Sequence, residues 1–274
     1  HNMIIFALAT GGAVSISKLF LAGVVPGVLM CICLAVAAYL VAVKRGYRAE
    51  KFPGFAALIL TFASAIPGLL TAVIIVGGVL SGVFTVTESG AFGAMYAFIV
   101  TLFVYRSITW AKFKLAVVQS VRTTSMVMIL IACAASFAYM LTFYRVPDQT
   151  VAFLTGLTDN QILILLMLNA ELMLLGMIMD MAALILICTP IFLPVMYALG
   201  IDPVQFGIIL LVNLGLGLCT PPVGSCQFVG CAVGKLPMEK ALRTIWPFYI
   251  AIFVALMLIT FVPAISMTLP NLLD

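Results

Sequence analysis

The sequence predicts an all-α polytopic membrane protein, and three observations carry that prediction. Of 274 residues, 13 are basic and 9 acidic, 8% of the chain, while 65% are hydrophobic; soluble domains hold about 25% charged and 45–50% apolar residues. Charge-free runs cover 19–43, 52–87, 123–144, 181–201, 203–234 and 244–273, and each can hold a span of about 20 residues. The 21 glycines and 13 prolines are spread through these runs, unlike the ~10-residue alternating segments of an outer-membrane barrel. With a mean hydropathy of +1.31, the chain has too little polar surface for a soluble fold and too much hydrophobicity for disorder.

Composition also removes function classes. His1 is the one histidine, so no HExxH helix or Cys/His zinc set can be built. No P-loop motif occurs. The seven cysteines, Cys31, Cys33, Cys133, Cys188, Cys219, Cys226 and Cys231, lie in apolar runs without CxxC spacing and read as small packing residues. The net charge of +4 sits in short loops, a pattern of membrane topology and not of nucleic-acid binding. Residue 1 is not Met and the chain opens inside an apolar segment, so the expectation is a fragment with spans missing upstream.

Basic loops mark the cytoplasm. Lys44, Arg45, Arg48 and Lys51 form the first, Arg106, Lys112 and Lys114 the second, with Arg122 just beyond, and Lys235, Lys240 and Arg243 the third. Residues 17–43 are then one span. Residues 54–104 cross twice, as helices over 54–82 and 89–104. Residues 117–142 cross outward, and 146–159 read as a short interfacial helix. The 40-residue block 160–199 must leave and return on the outer side, which makes it a hairpin with its tip near Gly176–Asp180. Its arms are short, as in a re-entrant hairpin. Residues 203–234 cross inward and 245–268 outward.

The segment 203–234 is not an ordinary helix. Gly215, Gly217 and Cys219-Thr-Pro-Pro-Val-Gly224 lie near its middle. Each proline lacks an N–H and clashes with the preceding turn, so the helix unwinds at membrane depth, where exposed backbone survives only against protein or an aqueous site. Freed carbonyls there attract a cation, and a new helix N-terminus at Ser225 attracts an anion. Asp180, costly in an apolar block, reads as a cation ligand or a tip-stabilising carboxylate, against the alternative of an interfacial turn residue. Glu171 could relay protons or pair with a base, or equally face lipid headgroups or another subunit. Thr85 and Glu88 have capping-box spacing. Gly78 and Gly82 mark close helix packing.

At these residues the chain resembles the large membrane subunit of the tripartite ATP-independent periplasmic (TRAP) transporters. The matching segments are Leu21-Ala-Gly-Val-Val-Pro-Gly27, Gly82-Val-Phe-Thr-Val-Thr-Glu-Ser89, Gly176-Met-Ile-Met-Asp180, Thr189-Pro-Ile-Phe-Leu-Pro194, Gly200-Ile-Asp-Pro203 and Thr220-Pro-Pro-Val-Gly224. Val86 stands where the family usually has proline. The resemblance implies an ion-transporter-superfamily elevator fold with inverted repeats, each supplying a helical hairpin and a broken helix. In that frame 1–10 ends the first repeat's broken helix and 11–45 is the helix that closes the repeat. Residues 46–145 are scaffold helices and 146–159 an interfacial arm. Residues 160–234 are the transport-domain hairpin and broken helix, and 235–274 the C-terminal transmembrane helix.

The resemblance also implies sodium-driven import of an organic anion, a carboxylate or a sialic-acid-like molecule, into a bacterium across its inner membrane. A periplasmic binding protein would deliver it, and a small four-helix membrane subunit would be the companion. Combined with the residues above, it puts sodium among Gly176, Asp180, Thr220, Pro221, Val223 and Gly224. Substrate lies alongside, at Thr220, Pro222, Ser225 and Asn213. The rival is a divalent-anion/sodium symporter of the same architecture that needs no binding protein. A channel would need a repeated filter, and an enzyme would have only the poorly spaced Glu171 and Asp180.

Overall fold

The computed structural model describes residues 2–47, 54–81, 83–158, 160–222 and 224–273. His1, Arg48, Lys51, Gly82, Asp159, Val223 and Asp274 lie outside the described residues, so the expectations that named Arg48, Lys51, Gly82 and Val223 have no structural counterpart here.

Among the described residues every regular element is helical. The order is α1 (Asn2–Ala9), α2 (Ile16–Lys44), α3 (Phe55–Leu80), α4 (Val86–Ile99), a π-helical turn (Val100–Val104), α5 (Trp110–Phe143), α6 (Val146–Leu157), α7 (Gln161–Gly176), α8 (Met181–Ala198), α9 (Pro203–Leu218), α10 (Ser225–Gly234), α11 (Met238–Phe261) and α12 (Pro263–Leu273). Among the described residues six helices are long and apolar enough to cross a membrane. The chain divides into two compact units, His1–Gly46 with Val127–Asp274, and Tyr47–Met126, with the boundary inside α5.

In the larger unit α9 is the central element. Almost every residue from Val204 to Gly217 is buried, the condition of a helix apolar all round. Helices α7, α8, α2 and α11 pack on it. Phe6 of α1 meets Phe206 edge to face, with ring centroids 6.0 Å apart. Gly207 is what admits them: a methyl group there would lie 2.6 Å from Phe6 and 2.9 Å from Leu19. Three helices start on an Asx cap. Asn160 accepts from the Ile162 N–H at 3.0 Å, Asp180 from Ala182 at 3.0 Å and Asp202 from Val204 at 2.7 Å. Each cap satisfies a donor that the first helical turn leaves without an intrahelical partner.

The smaller unit is built on the pairing of α3 with α4. The fully buried Ser89 hydroxyl donates to the Ile75 carbonyl at 2.6 Å. The expected capping box is present: Glu88 N–H donates to the Thr85 hydroxyl at 3.4 Å, and the Thr85 N–H donates to the Glu88 carboxylate at 2.9 Å. Gly78 packs against Phe84 and Ser89, the close-packing role its position suggested.

Most expected boundaries agree with these elements, and two differ. The span expected over 117–142 begins at Trp110 and carries Lys112, Lys114 and Arg122 within it. At 34 residues it rises about 51 Å, well beyond a ~30 Å hydrocarbon core, so its basic turns extend past the apolar layer. The crossing expected over 245–268 runs instead from Met238 to Phe261. Val262 leaves helical geometry at φ −117°, ψ 87°, as a residue before proline does, and Pro263 opens the separate helix α12, which packs on α2. A charge-free run cannot register that proline.

Thr85→Ala should remove the hydroxyl half of the capping box, leaving only the backbone N–H to Glu88, and cost about 1 kcal/mol. A lowered thermal-unfolding midpoint of the purified protein checks this, and Thr85→Ser should restore it.

Candidate functional site

The helix expected to unwind does so. Helix α9 closes with two tightened turns, Cys219 N–H to the Leu216 carbonyl at 3.1 Å and Thr220 N–H to Gly217 at 2.9 Å. The Thr220 hydroxyl also donates to the Leu216 carbonyl, at 2.6 Å. Pro221 and Pro222, joined by a cis peptide bond, remove the N–H groups that would have bonded the Gly217 and Leu218 carbonyls. Gly224 then takes φ +51°, a left-handed conformation that suits glycine. Helix α10 starts at Ser225.

The hairpin also forms as expected, with Met177–Asp180 joining α7 to α8. Its tip lies on the end of α9. A methyl group on Gly217 would fall 2.8 Å from Cα and the carbonyl carbon of Gly176. Such backbone contact exists only between two glycines. One and two turns earlier, Asn213 Nδ2 donates to Asn169 Oδ1 at 2.8 Å and to the Asn169 carbonyl at 2.9 Å. Asn169 Nδ2 donates to the Leu165 carbonyl at 2.8 Å. Buried amides of this kind tie one membrane helix to another.

Tyr249 of α11 spans the break. It is buried, and its hydroxyl donates to the Cys219 carbonyl. The same oxygen lies 2.8 Å from Gln227 Oε1 on α10. A hydroxyl has one proton; with that proton on Cys219, Gln227 completes the pair by presenting its NH₂ edge, which otherwise has no partner among the described residues. Tyr249 thereby bridges the helical segments before and after the unwound turn.

The sequence-predicted residues are distributed as follows. Gly176, Thr220, Pro221 and Gly224 gather at the junction of tip and break. The hypothetical Cβ of Gly224 would lie 3.1 Å from the Thr220 carbonyl oxygen. Asp180 is exposed and acts as the N-cap of α8, its carboxylate accepting from the Ala182 N–H. Asn213 is fully buried against Asn169, one turn before the break. Pro222 is exposed. Ser225 begins α10, and Val223 lies outside the described residues. Glu171 is exposed on α7. Among the described residues no three His, Cys, Asp or Glu groups come together as metal ligands.

Two cavities flank Thr220. One, of about 350 Å³, is lined by Met173, Met177, Leu216, Thr220, Tyr249 and Phe253 among others. The second, of about 270 Å³, is lined by Thr220, Pro221, Leu242, Arg243, Trp246 and Tyr249. Sequence reasoning missed Gln227, Trp246 and Tyr249, and counted Arg243 only as a topological charge. A tyrosine and a tryptophan in an otherwise apolar run were the available signal, since each carries a polar handle that seeks a partner when buried.

Residues 1–265 match the family described as "Tripartite ATP-independent periplasmic transporter, DctM component". The chain belongs to the DctM family. It is 40% identical over 274 residues to the C4-dicarboxylate TRAP transporter large permease protein DctM of Pseudomonas aeruginosa, covering 98% of this chain and 62% of that protein. It is 39% identical over 270 residues to the uncharacterized protein YgiK of Salmonella typhimurium, with the same coverage of each. The sialic acid TRAP transporter large permease protein SiaM of Vibrio cholerae is 36% identical over 262 residues, 94% of this chain and 60% of that protein. The chain thus spans about three-fifths of the length of these relatives. Family membership together with the six apolar helices makes this DctM chain part of a multi-pass bacterial inner-membrane protein.

Three substitutions probe the junction, one of them a control. Gly217→Ala should destabilise the DctM chain by about 1–3 kcal/mol, because backbone and not a movable side chain opposes the new methyl. Gly215→Ala, with open space around it, should be close to neutral by the same thermal measurement. Tyr249→Phe should leave the Cys219 carbonyl unpaired at a cost of about 1–3 kcal/mol, read as faster amide hydrogen exchange across residues 219–227 with α9 protection retained.

Proposed function

We propose that this chain forms part of the permease subunit of a sodium-coupled secondary transporter that imports an organic anion by an elevator mechanism. The observation that carries the reading is the α9–α10 break packed against the hairpin tip through Gly176 and Gly217. A broken membrane helix offers carbonyls and a helix C-terminus to a cation, and a helix N-terminus to an anion. The donor set at the junction is made of neutral oxygens, which suits a hard monovalent cation. Sodium would be held by carbonyls around Gly176, Pro221, Val223 and Gly224, together with the Thr220 hydroxyl. Asp180 would sustain the tip from its cap position. Substrate would lie near Thr220, Pro222 and the start of α10 at Ser225, with Asn213 fixing α9 from behind.

The relatives' names support the substrate class, since C4-dicarboxylates and sialic acid are organic anions. In this reading the chain is a transport protein and not an enzyme. A periplasmic binding protein delivers the anion, and a small four-helix membrane subunit accompanies the permease. Each net positive charge moving inward gains about 2.3 kcal/mol per 100 mV, so two or more sodium ions accompanying a monoanion drive accumulation without ATP. Cation and anion held side by side lower each other's electrostatic cost, a reciprocal coupling of about 1–3 kcal/mol.

The test uses the full permease with its partner subunit and binding protein in proteoliposomes. Pro221→Ala combined with Pro222→Ala should let the helix re-form and abolish sodium-coupled uptake while the protein still inserts. Normal sodium activation in that double variant overturns the ion site. Uptake that proceeds without the binding protein selects the binding-protein-independent symporter instead.

A further inference from the structure

Arg243 stands on α11 five residues in from Met238, and it lines the 270 Å³ cavity beside Thr220 and Pro221. Glu239 lies four residues earlier on the same helix, a spacing at which glutamate and arginine ordinarily pair. They do not pair here. Among the described residues no carboxylate comes within 4.0 Å of the Arg243 guanidinium. A cation that forgoes its helical neighbour and borders a cavity at the break has its donors free for another anion.

The rest of the cavity fits that role. No acidic side chain lines it, and besides Arg243 it is lined by Thr220, Pro221, Leu242, Trp246 and Tyr249. Trp246 packs edge-on against Tyr249, with ring centroids 5.8 Å apart, so two rigid aromatic rings border the space. The volume suits a small molecule. A guanidinium presents a planar fork that matches a carboxylate with two parallel hydrogen bonds, which an ammonium cannot do. Topology alone needs no arginine at this position, because Lys235 and Lys240 already supply basic charge to the same loop.

We infer that Arg243 is the carboxylate anchor of the transported anion, holding it in the cavity between the α9–α10 break and α11. This rests on the anion-transport reading and adds a residue to it. The two ligands then divide the break. The cation takes the carbonyl side next to Gly176, and the carboxylate takes the side facing Arg243. Arg243 thereby selects for anions without contributing to the cation site.

The full transporter with its binding protein and partner subunit is assayed in proteoliposomes with succinate and with N-acetylneuraminate as probes. The probe that the unaltered transporter takes up in a sodium-dependent way is used. Arg243→Gln should raise the KM for that probe by about tenfold or more, while half-activation by sodium at saturating probe stays unchanged. Arg243→Lys should lie between, because charge survives and the fork does not. Lys240→Gln should match the unaltered protein. Sodium-dependent uptake with an unchanged KM in Arg243→Gln overturns the inference and leaves the proposed function standing. Should Arg243→Gln not insert, Arg243→Lys decides by the same KM criterion. A transporter that takes up neither probe with sodium overturns both.

Discussion

Backbone inside a bilayer has no water to bond, so a helix broken there must find every partner within the protein. That constraint organises the larger unit of this chain. Pro221 and Pro222 interrupt the α9–α10 ladder where α9 is enclosed by α7, α8, α2 and α11. The interruption is held from several directions. Thr220 turns its hydroxyl back to Leu216, Tyr249 reaches from α11 to the Cys219 carbonyl, and Gln227 meets the same tyrosine from α10. Each bond removes a polar group that would otherwise face hydrocarbon at a cost of several kcal/mol.

The hairpin obeys the same constraint with different chemistry. Its arms start on Asn160 and Asp180, and α9 starts on Asp202. Each cap lets a short helix begin without leaving its first donors bare. Lipid gives membrane helices little hydrophobic reason to associate, so close packing and interhelical amide bonds must hold them. Gly176 on Gly217 supplies the first, and Asn169 with Asn213 the second. The break and the tip therefore meet through contacts that tolerate little change in side-chain size.

Much of this was legible in the chain. The spans followed from charge spacing, because a charge in hydrocarbon is costly and apolar runs between charges are therefore membrane segments. The break followed from two prolines among glycines, whose local effect on a helix does not depend on surroundings. The Thr85–Glu88 capping box was legible for the same reason, being closed within four residues. Helix α12 was less so. Pro263 lies in an unbroken apolar run, and hydropathy does not distinguish one helix from two.

The chain by itself determined an all-helical membrane protein, the place where one helix must unwind, and the hairpin that precedes it. These rest on local sterics and on the aversion of charge to lipid, both encoded over a few neighbouring residues. Only the tertiary structure decided what closes the site. Tyr249 lies 30 residues from Cys219, Asn213 lies 44 from Asn169, and Gly217 lies against Gly176. No period or spacing brings such pairs together, because helix packing sets them through the whole pattern of side-chain volumes on several helices at once. Arg243 shows the same limit from the side of charge. Its sign can be read in the sequence, but that it lines a cavity with Thr220 and Pro221 depends on how α11 is placed against α9.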